Sequence, residues 1–135
     1  MAFYVDTSAL AKMLNAEPES RAFNTWMRAH STEVYCSDLV RVELMRVAGR
    51  LGEGARVQAR TVLSAVSLVA ISPAICDTAG LLEPAILRSL DAIHVATALA
   101  LGDELAGLVT YDDRMAATAR ELGIPVLAPG RLRLD

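Results

Sequence analysis

Five short apolar runs alternate with longer amphipathic stretches along the chain. The first, Ala2-Phe3-Tyr4-Val5, is rich in aromatic and β-branched residues and stops at the polar cluster Asp6-Thr7-Ser8. A run of that kind reads as a buried parallel strand. The helix-forming segment Ala9 to Leu14 follows at once. The junction is therefore expected at the carboxyl edge of a sheet, with Asp6 at its lip and Thr7 or Ser8 capping the helix. Open α/β sheets hold their ligands at that edge.

A second helix is expected to start at Glu17-Pro18-Glu19, with Pro18 near its first position. Ala22, Phe23, Trp26, Met27 and Ala29 form its apolar face. Glu33 to Cys36 predicts the next strand. Ser37-Asp38 reads as an N-cap for a helix running to Gly52, with the stripe Val40, Leu44, Val47, Leu51. Glu53 to Ala65 predicts a further helix, Val57 and Leu63 inward and Arg56 and Arg60 on one face. Ser67 to Ile71 is a third strand, and Ser72-Pro73 opens a helix that falters near Gly80 or Pro84. Ser89 caps a helix from Leu90 to Leu101; Gly107 to Thr110 is a fourth strand. Asp112-Asp113 opens a last helix, and Ile124 to Leu127 is a final strand, placed at the sheet edge by Pro125. Strands alternating with helices predict a parallel sheet with right-handed crossovers.

Length and composition narrow this picture. The 135 residues suit one domain, 1–135, with a sizeable core. No apolar stretch is long enough for a membrane span, and no leader precedes the first strand, so a cytoplasmic protein is expected. Cys36 and Cys76 fit no metal-ligand spacing and read as reduced core residues. The net charge of −3 lacks the basic footprint of a plain nucleic-acid binder. It leaves room for a nucleic-acid enzyme in which bound cations reverse the local field. Lys12 is the sole lysine, so the positive charge is carried by arginine, the better fork for phosphate.

The candidate chemistry is acidic. Asp6 reads either as a helix cap or as a ligand. Asp91 lies in the first turn of a helix apolar nearly all round, where a carboxylate needs a cap, a partner or a cation. His94, one turn later, reads as a packed, hydrogen-bonded residue. Glu43 interrupts an aliphatic segment and is either ion-paired with Arg46 or brought to the sheet edge, with Arg46 and Arg50 continuing its polar ridge. Of Asp112 and Asp113, one is expected to cap, and Thr110 precedes them at the edge. Clustered carboxylates repel one another unless a cation neutralises them. An oxygen-only set without supporting His or Cys points to Mg²⁺ or Mn²⁺ and to phosphoryl chemistry.

These segments carry a family resemblance. Val5-Asp6-Thr7-Ser8-Ala9-Leu10, Ser37 to Leu44 with Glu43, Leu90 to Ala98 with its D-A-I-H-x-A-T-A run, and Val109-Thr110-Tyr111-Asp112 resemble the PIN-domain family, specifically the VapC-type toxin ribonucleases. The resemblance implies a three-layer α/β/α sandwich on a five-stranded parallel sheet. It implies a Mg²⁺- or Mn²⁺-dependent endoribonuclease acting on transfer or ribosomal RNA and leaving a 5′-phosphate and a 3′-hydroxyl. A homodimer and a cognate VapB-type antitoxin are implied as partners, with no membrane. The family's four acids map to Asp6, Glu43, Asp91 and Asp112 as catalytic and metal residues. Ser8, Thr110 and Asp113 are placed in support, and Arg46 and Arg50 as contacts for RNA or antitoxin.

Rival classes are weaker. A dehalogenase-like phosphatase wants an acid where Ser8 stands, and a receiver domain wants a lysine late in the chain. A catalytically silent PIN-like binding module remains the non-enzymatic alternative.

Overall fold

The computed structural model describes residues 1–131. The strands are β1 (Ala2–Val5), β2 (Val34–Ser37), β3 (Ser67–Val69), β4 (Leu105–Val109) and β5 (Val126–Leu127). They form one sheet in the order β3-β2-β1-β4-β5, every neighbouring pair parallel. Between them lie α1 (Thr7–Leu10, prolonged by a 3₁₀ turn Ala11–Met13), α2 (Ser20–His30), α3 (Val40–Leu51), α4 (Glu53–Ala65), α5 (Pro73–Leu81), α6 (Ser89–Ala100) and α7 (Asp113–Glu121). This is the expected α/β/α sandwich.

Strand periodicity builds its layers. Adjacent residues point to opposite faces of a sheet. Val5 and Val109 join Phe23, Val40, Leu44 and Val62 in the core beneath α1 to α4. Their neighbours Tyr4 and Leu108 join Val95, Ala98, Met115 and Ala119 beneath α6 and α7. Central β1 is buried at every position, as a strand covered on both faces must be. β4 and β5 approach closely at Gly107, where an added Cβ would stand 2.4 Å from Leu127 Cδ1.

Several local expectations change. Asp6 itself caps α1, accepting the Ala9 N–H, while Thr7 and Ser8 lie inside the helix. Ser37 ends β2 and Leu39 is the N-cap of α3, so Ser37-Asp38 is no cap; Ser37 Oγ accepts the Leu39 N–H and Asp38 pairs with Arg41. The buried stripe of α3 is Val40, Leu44, Ala48, and Leu51 is 45% exposed. On α4, Val57 is exposed and Ala59 and Val62 are buried, because α4 meets α3 with the opposite side. Ser89 begins α6 and Arg88 is its N-cap. Cys36 is buried as expected, but Cys76 on α5 is exposed. Among the described residues no helix is long and apolar enough to cross a membrane.

Candidate active site

The strand order decides where the site lies. The chain winds outward from β1 through β2 to β3, then crosses back to place β4 on the other side of β1. The crevice beyond the carboxyl ends of β1 and β4 is thus the topological switch point, the place where open α/β sheets bind ligands. Asp6 follows β1, and Thr110, Tyr111 and Asp112 follow β4.

Asp6 is 2% exposed. Its Oδ1 accepts Ser8 Oγ–H at 2.7 Å and the Ala9 N–H at 3.0 Å, and its Oδ2 accepts Thr110 Oγ–H at 2.5 Å. Burial still raises its pKa, because the hydrogen bonds from Thr110 and Ser8 and the nearby His94 only partly offset desolvation. Ser8 Oγ also accepts the Tyr111 N–H at 2.9 Å, and Thr110 Oγ accepts the Asp112 N–H at 3.0 Å. Ser8 and Thr110 thus stitch the end of β4 to the start of α1.

Glu43 projects from α3 to the same edge. Its Oε1 accepts Thr7 Oγ–H at 2.7 Å and lies 2.6 Å from His94 Nε2. Of the two readings of Glu43, the structure favours the sheet edge: among the described residues its partners are His94 and Thr7, not Arg46. Desolvation pushes the Glu43 carboxyl up, but the bonds from His94 and Thr7 outweigh it, and the group lies below the ordinary glutamate range. His94 is buried, and its Nδ1 lies 2.6 Å from Tyr4 Oη. Tyr4 Oη also accepts the Ser37 N–H at 3.1 Å, so the imidazole is held between Tyr4 on one side and Glu43 on the other.

Asp112 caps α7 through Oδ1, which accepts the N–H groups of Arg114 and Met115 at 2.9 and 3.1 Å. Its Oδ2 faces Arg88 Nη2 at 3.7 Å, and Arg88 Nε donates to Asp91 Oδ2 at 2.9 Å. Asp113 departs from its supporting assignment: its side chain is 94% exposed and pairs with Arg131 at 3.0 Å, away from the acids. Arg46 and Arg50 are exposed on α3.

Three of the acids belong to one network: Asp6 joins Thr110, Thr110 joins the Asp112 backbone, and Arg88 joins Asp112 to Asp91. Glu43 belongs to a second, with Thr7, His94 and Tyr4, which meets the first where Thr7 follows Asp6 in the chain. The sequence does not mark Tyr4 or Arg88 as site residues, and it offers Thr7 only as a helix cap. The signal for Arg88 was its spacing of three from Asp91 at a helix start. Tyr4 and Thr7 gave no signal, since their partners lie 90 and 36 residues away.

The carboxylates are not drawn into a tight shell: among the described residues no three His, Cys, Asp or Glu side chains are grouped to hold a metal. The donor chemistry nonetheless fits Mg²⁺ or Mn²⁺. Mg²⁺ retains several waters and is usually bound through one or two carboxylates plus substrate phosphates. Asp91 Oδ1 and Glu43 Oε2 accept no hydrogen bond among the described residues, and a guanidinium already stands between Asp91 and Asp112 as a cation.

The PIN-domain family model matches residues 3–121. The chain belongs to the PIN-domain family. Two curated relatives place this PIN domain with the VapC ribonucleases. Ribonuclease VapC47 of Mycobacterium tuberculosis is 42% identical over 134 residues, covering 96% of this chain and 98% of the relative. Ribonuclease VapC46 of the same species is 44% identical over 128 residues, covering 95% and 98%. Among solved structures, Mycobacterium tuberculosis VapC20, a sarcin–ricin loop cleaving toxin, superposes with a TM-score of 0.75 at 18% identity, covering 95% of this chain and all of that one, a likeness of fold. A toxin–antitoxin complex from Klebsiella pneumoniae contains a chain with a TM-score of 0.71 at 25% identity, covering 96% and 98%.

Proposed function

We propose that this PIN domain is the toxin of a VapBC-type pair, an endoribonuclease that uses Mg²⁺ or Mn²⁺. The observation that carries the reading is the junction of Asp6, Asp112 and Asp91 through Thr110 and Arg88 at the switch point, with Glu43 held at the same edge by Thr7.

The ion, when bound, supplies Lewis acidity at the phosphodiester and lowers the pKa of an attacking water. Asp6, Asp91 and Asp112 would hold it with Glu43, in part through water. Ser8 and Thr110 fix the Asp6 rotamer, and Thr7 and His94 aim Glu43, so the acids need little reorganisation. In the reaction a water oxygen forms a bond to phosphorus and the P–O3′ bond breaks. The products are a 5′-phosphate and a 3′-hydroxyl, the leaving oxygen taking up a proton, and no 2′-hydroxyl takes part.

Arg46 and Arg50, exposed on α3, are the proposed contacts for the RNA backbone or for an antitoxin's acidic segment. A VapB-type antitoxin is the proposed protein partner and a homodimer the proposed assembly. The antitoxin is supported by the toxin–antitoxin complexes among the structural relatives; the homodimer rests on the family resemblance alone. The RNA is a transfer or ribosomal species.

The test is cleavage of total cellular RNA by the purified protein with Mg²⁺ or Mn²⁺, beside EDTA and Asp91→Asn controls. Discrete fragments absent from both controls support the reading. Absence of cleavage by folded, metal-bound protein would favour a silent binding module.

A further inference from the structure

Arg88 joins Asp91 to Asp112, yet it has no role in the reaction described above. As N-cap of α6 it has an extended backbone, φ −64° and ψ 147°. That backbone folds the side chain back over the first helical turn. Its Nε donates to Asp91 Oδ2 at 2.9 Å, and its Nη2 reaches to 3.7 Å from Asp112 Oδ2. The two carboxylates are only 13% and 24% exposed, whereas the arginine side chain is 64% exposed. Among the described residues no other lysine or arginine is ion-paired with either acid.

We propose that Arg88 is the resident counter-cation of the Asp91–Asp112 pair, which a divalent ion must displace from Asp91 as it loads. Two half-buried carboxylates from different elements repel each other unless a positive charge stands between them. A guanidinium does this by a charge-assisted hydrogen bond. An ion held by the Asp91 carboxylate, even through the free Oδ1, would bring a second positive charge next to the guanidinium on Oδ2. That repulsion weakens the Arg88–Asp91 bond. The Arg88 stem is largely in solvent, so leaving costs little packing. The exchange sets metal affinity: Arg88 keeps the acids together without metal and opposes the metal when it arrives. The inference rests on the metal-dependent reading above.

The test is Mn²⁺ binding, with free ion counted by electron paramagnetic resonance, for the wild type, Arg88→Met, Arg88→Lys and Asp91→Asn. Arg88→Met is expected to bind Mn²⁺ about two- to fivefold more tightly, the range of one exposed ion pair. Arg88→Lys, which keeps the charge and loses the fork, is expected between the two. In the wild type the Arg88 Nε–H resonance is expected to shift with Mg²⁺ occupancy. Equal or weaker Mn²⁺ affinity in Arg88→Met, with binding still abolished in Asp91→Asn, overturns this inference and leaves the metal site standing. No Mn²⁺ binding by either the wild type or Arg88→Met overturns both.

Discussion

His94 Nε2 lies 2.6 Å from Glu43 Oε1, and its Nδ1 lies 2.6 Å from Tyr4 Oη. Tyr4 Oη also accepts the Ser37 backbone N–H at 3.1 Å, so one hydroxyl ties the imidazole to β2. Tyr4→Phe would leave a buried N–H and a buried ring nitrogen unpartnered. It is expected to lower stability by about 2 kcal/mol in urea unfolding. A loss under about 0.5 kcal/mol would show that the hydroxyl does not tie the imidazole in this way.

Asp6 separates activity from stability. Burial raises its pKa, so ionised Asp6 is a strained feature of the fold, offset in part by Thr110, His94, Ser8 and Ala9. Asp6→Asn is expected to leave thermal stability unchanged or slightly raised, as at many functional sites. RNA cleavage should fall by at least about 100-fold. A large drop in melting temperature would instead show that its bonds to Ser8, Thr110 and the α1 backbone outweigh the cost of its burial.

Asp112 and Asp113 are adjacent but face different ways, towards Arg88 and Arg131 respectively. Asp113→Asn should cleave RNA at the wild-type rate. Asp112→Asn should lose cleavage with stability nearly unchanged, because Asn caps a helix about as well as Asp. Equal rates in the two variants would contradict the assignment of the fourth acid.

Buried Lys12 bridges the carboxylates of Glu17 and Glu19 beneath Tyr111, whose pKa is pushed up to about 12 chiefly by burial. The hydrogen bond from Lys12 lowers the Glu19 pKa from its ordinary 4.5. The unfolded chain therefore takes up that proton at a higher pH than the folded one. The stabilisation is present above the ordinary value and is lost as the pH falls through the lowered one. Asp6, with its raised pKa, acts in the opposite sense, so the difference between variants is the informative quantity. Between pH 6 and roughly pH 3, urea midpoints of Glu19→Gln should fall less steeply than those of the wild type.

Gly107 tests the packing of the sheet edge. Its added Cβ would meet Leu127 Cδ1 at 2.4 Å and the Pro125 carbonyl oxygen at 3.2 Å. Gly107→Ala is expected to cost about 1–3 kcal/mol by thermal unfolding. A neutral substitution would mean that β5 moves aside freely.

The local pattern of the chain determines its elements. Apolar runs of four or five residues, each stopped by polar or turn-forming residues, specify buried strands such as β1 and β4. The helical spacings between them specify crossovers, and so a parallel sheet whose acids fall at strand ends. The family's acidic positions are legible for the same reason: each lies inside a short motif. Tertiary structure decides what a residue faces across the fold. It turns Val57 outward and Ala59 inward, because α4 meets α3 on one side. It gives Glu43 to His94 and Thr7 rather than to Arg46. It sends Asp113 to Arg131 and sets Arg88 between Asp91 and Asp112. These pairings join elements that are distant along the chain, and their energies depend on burial and charge that exist only once the sheet has closed the crevice between β1 and β4.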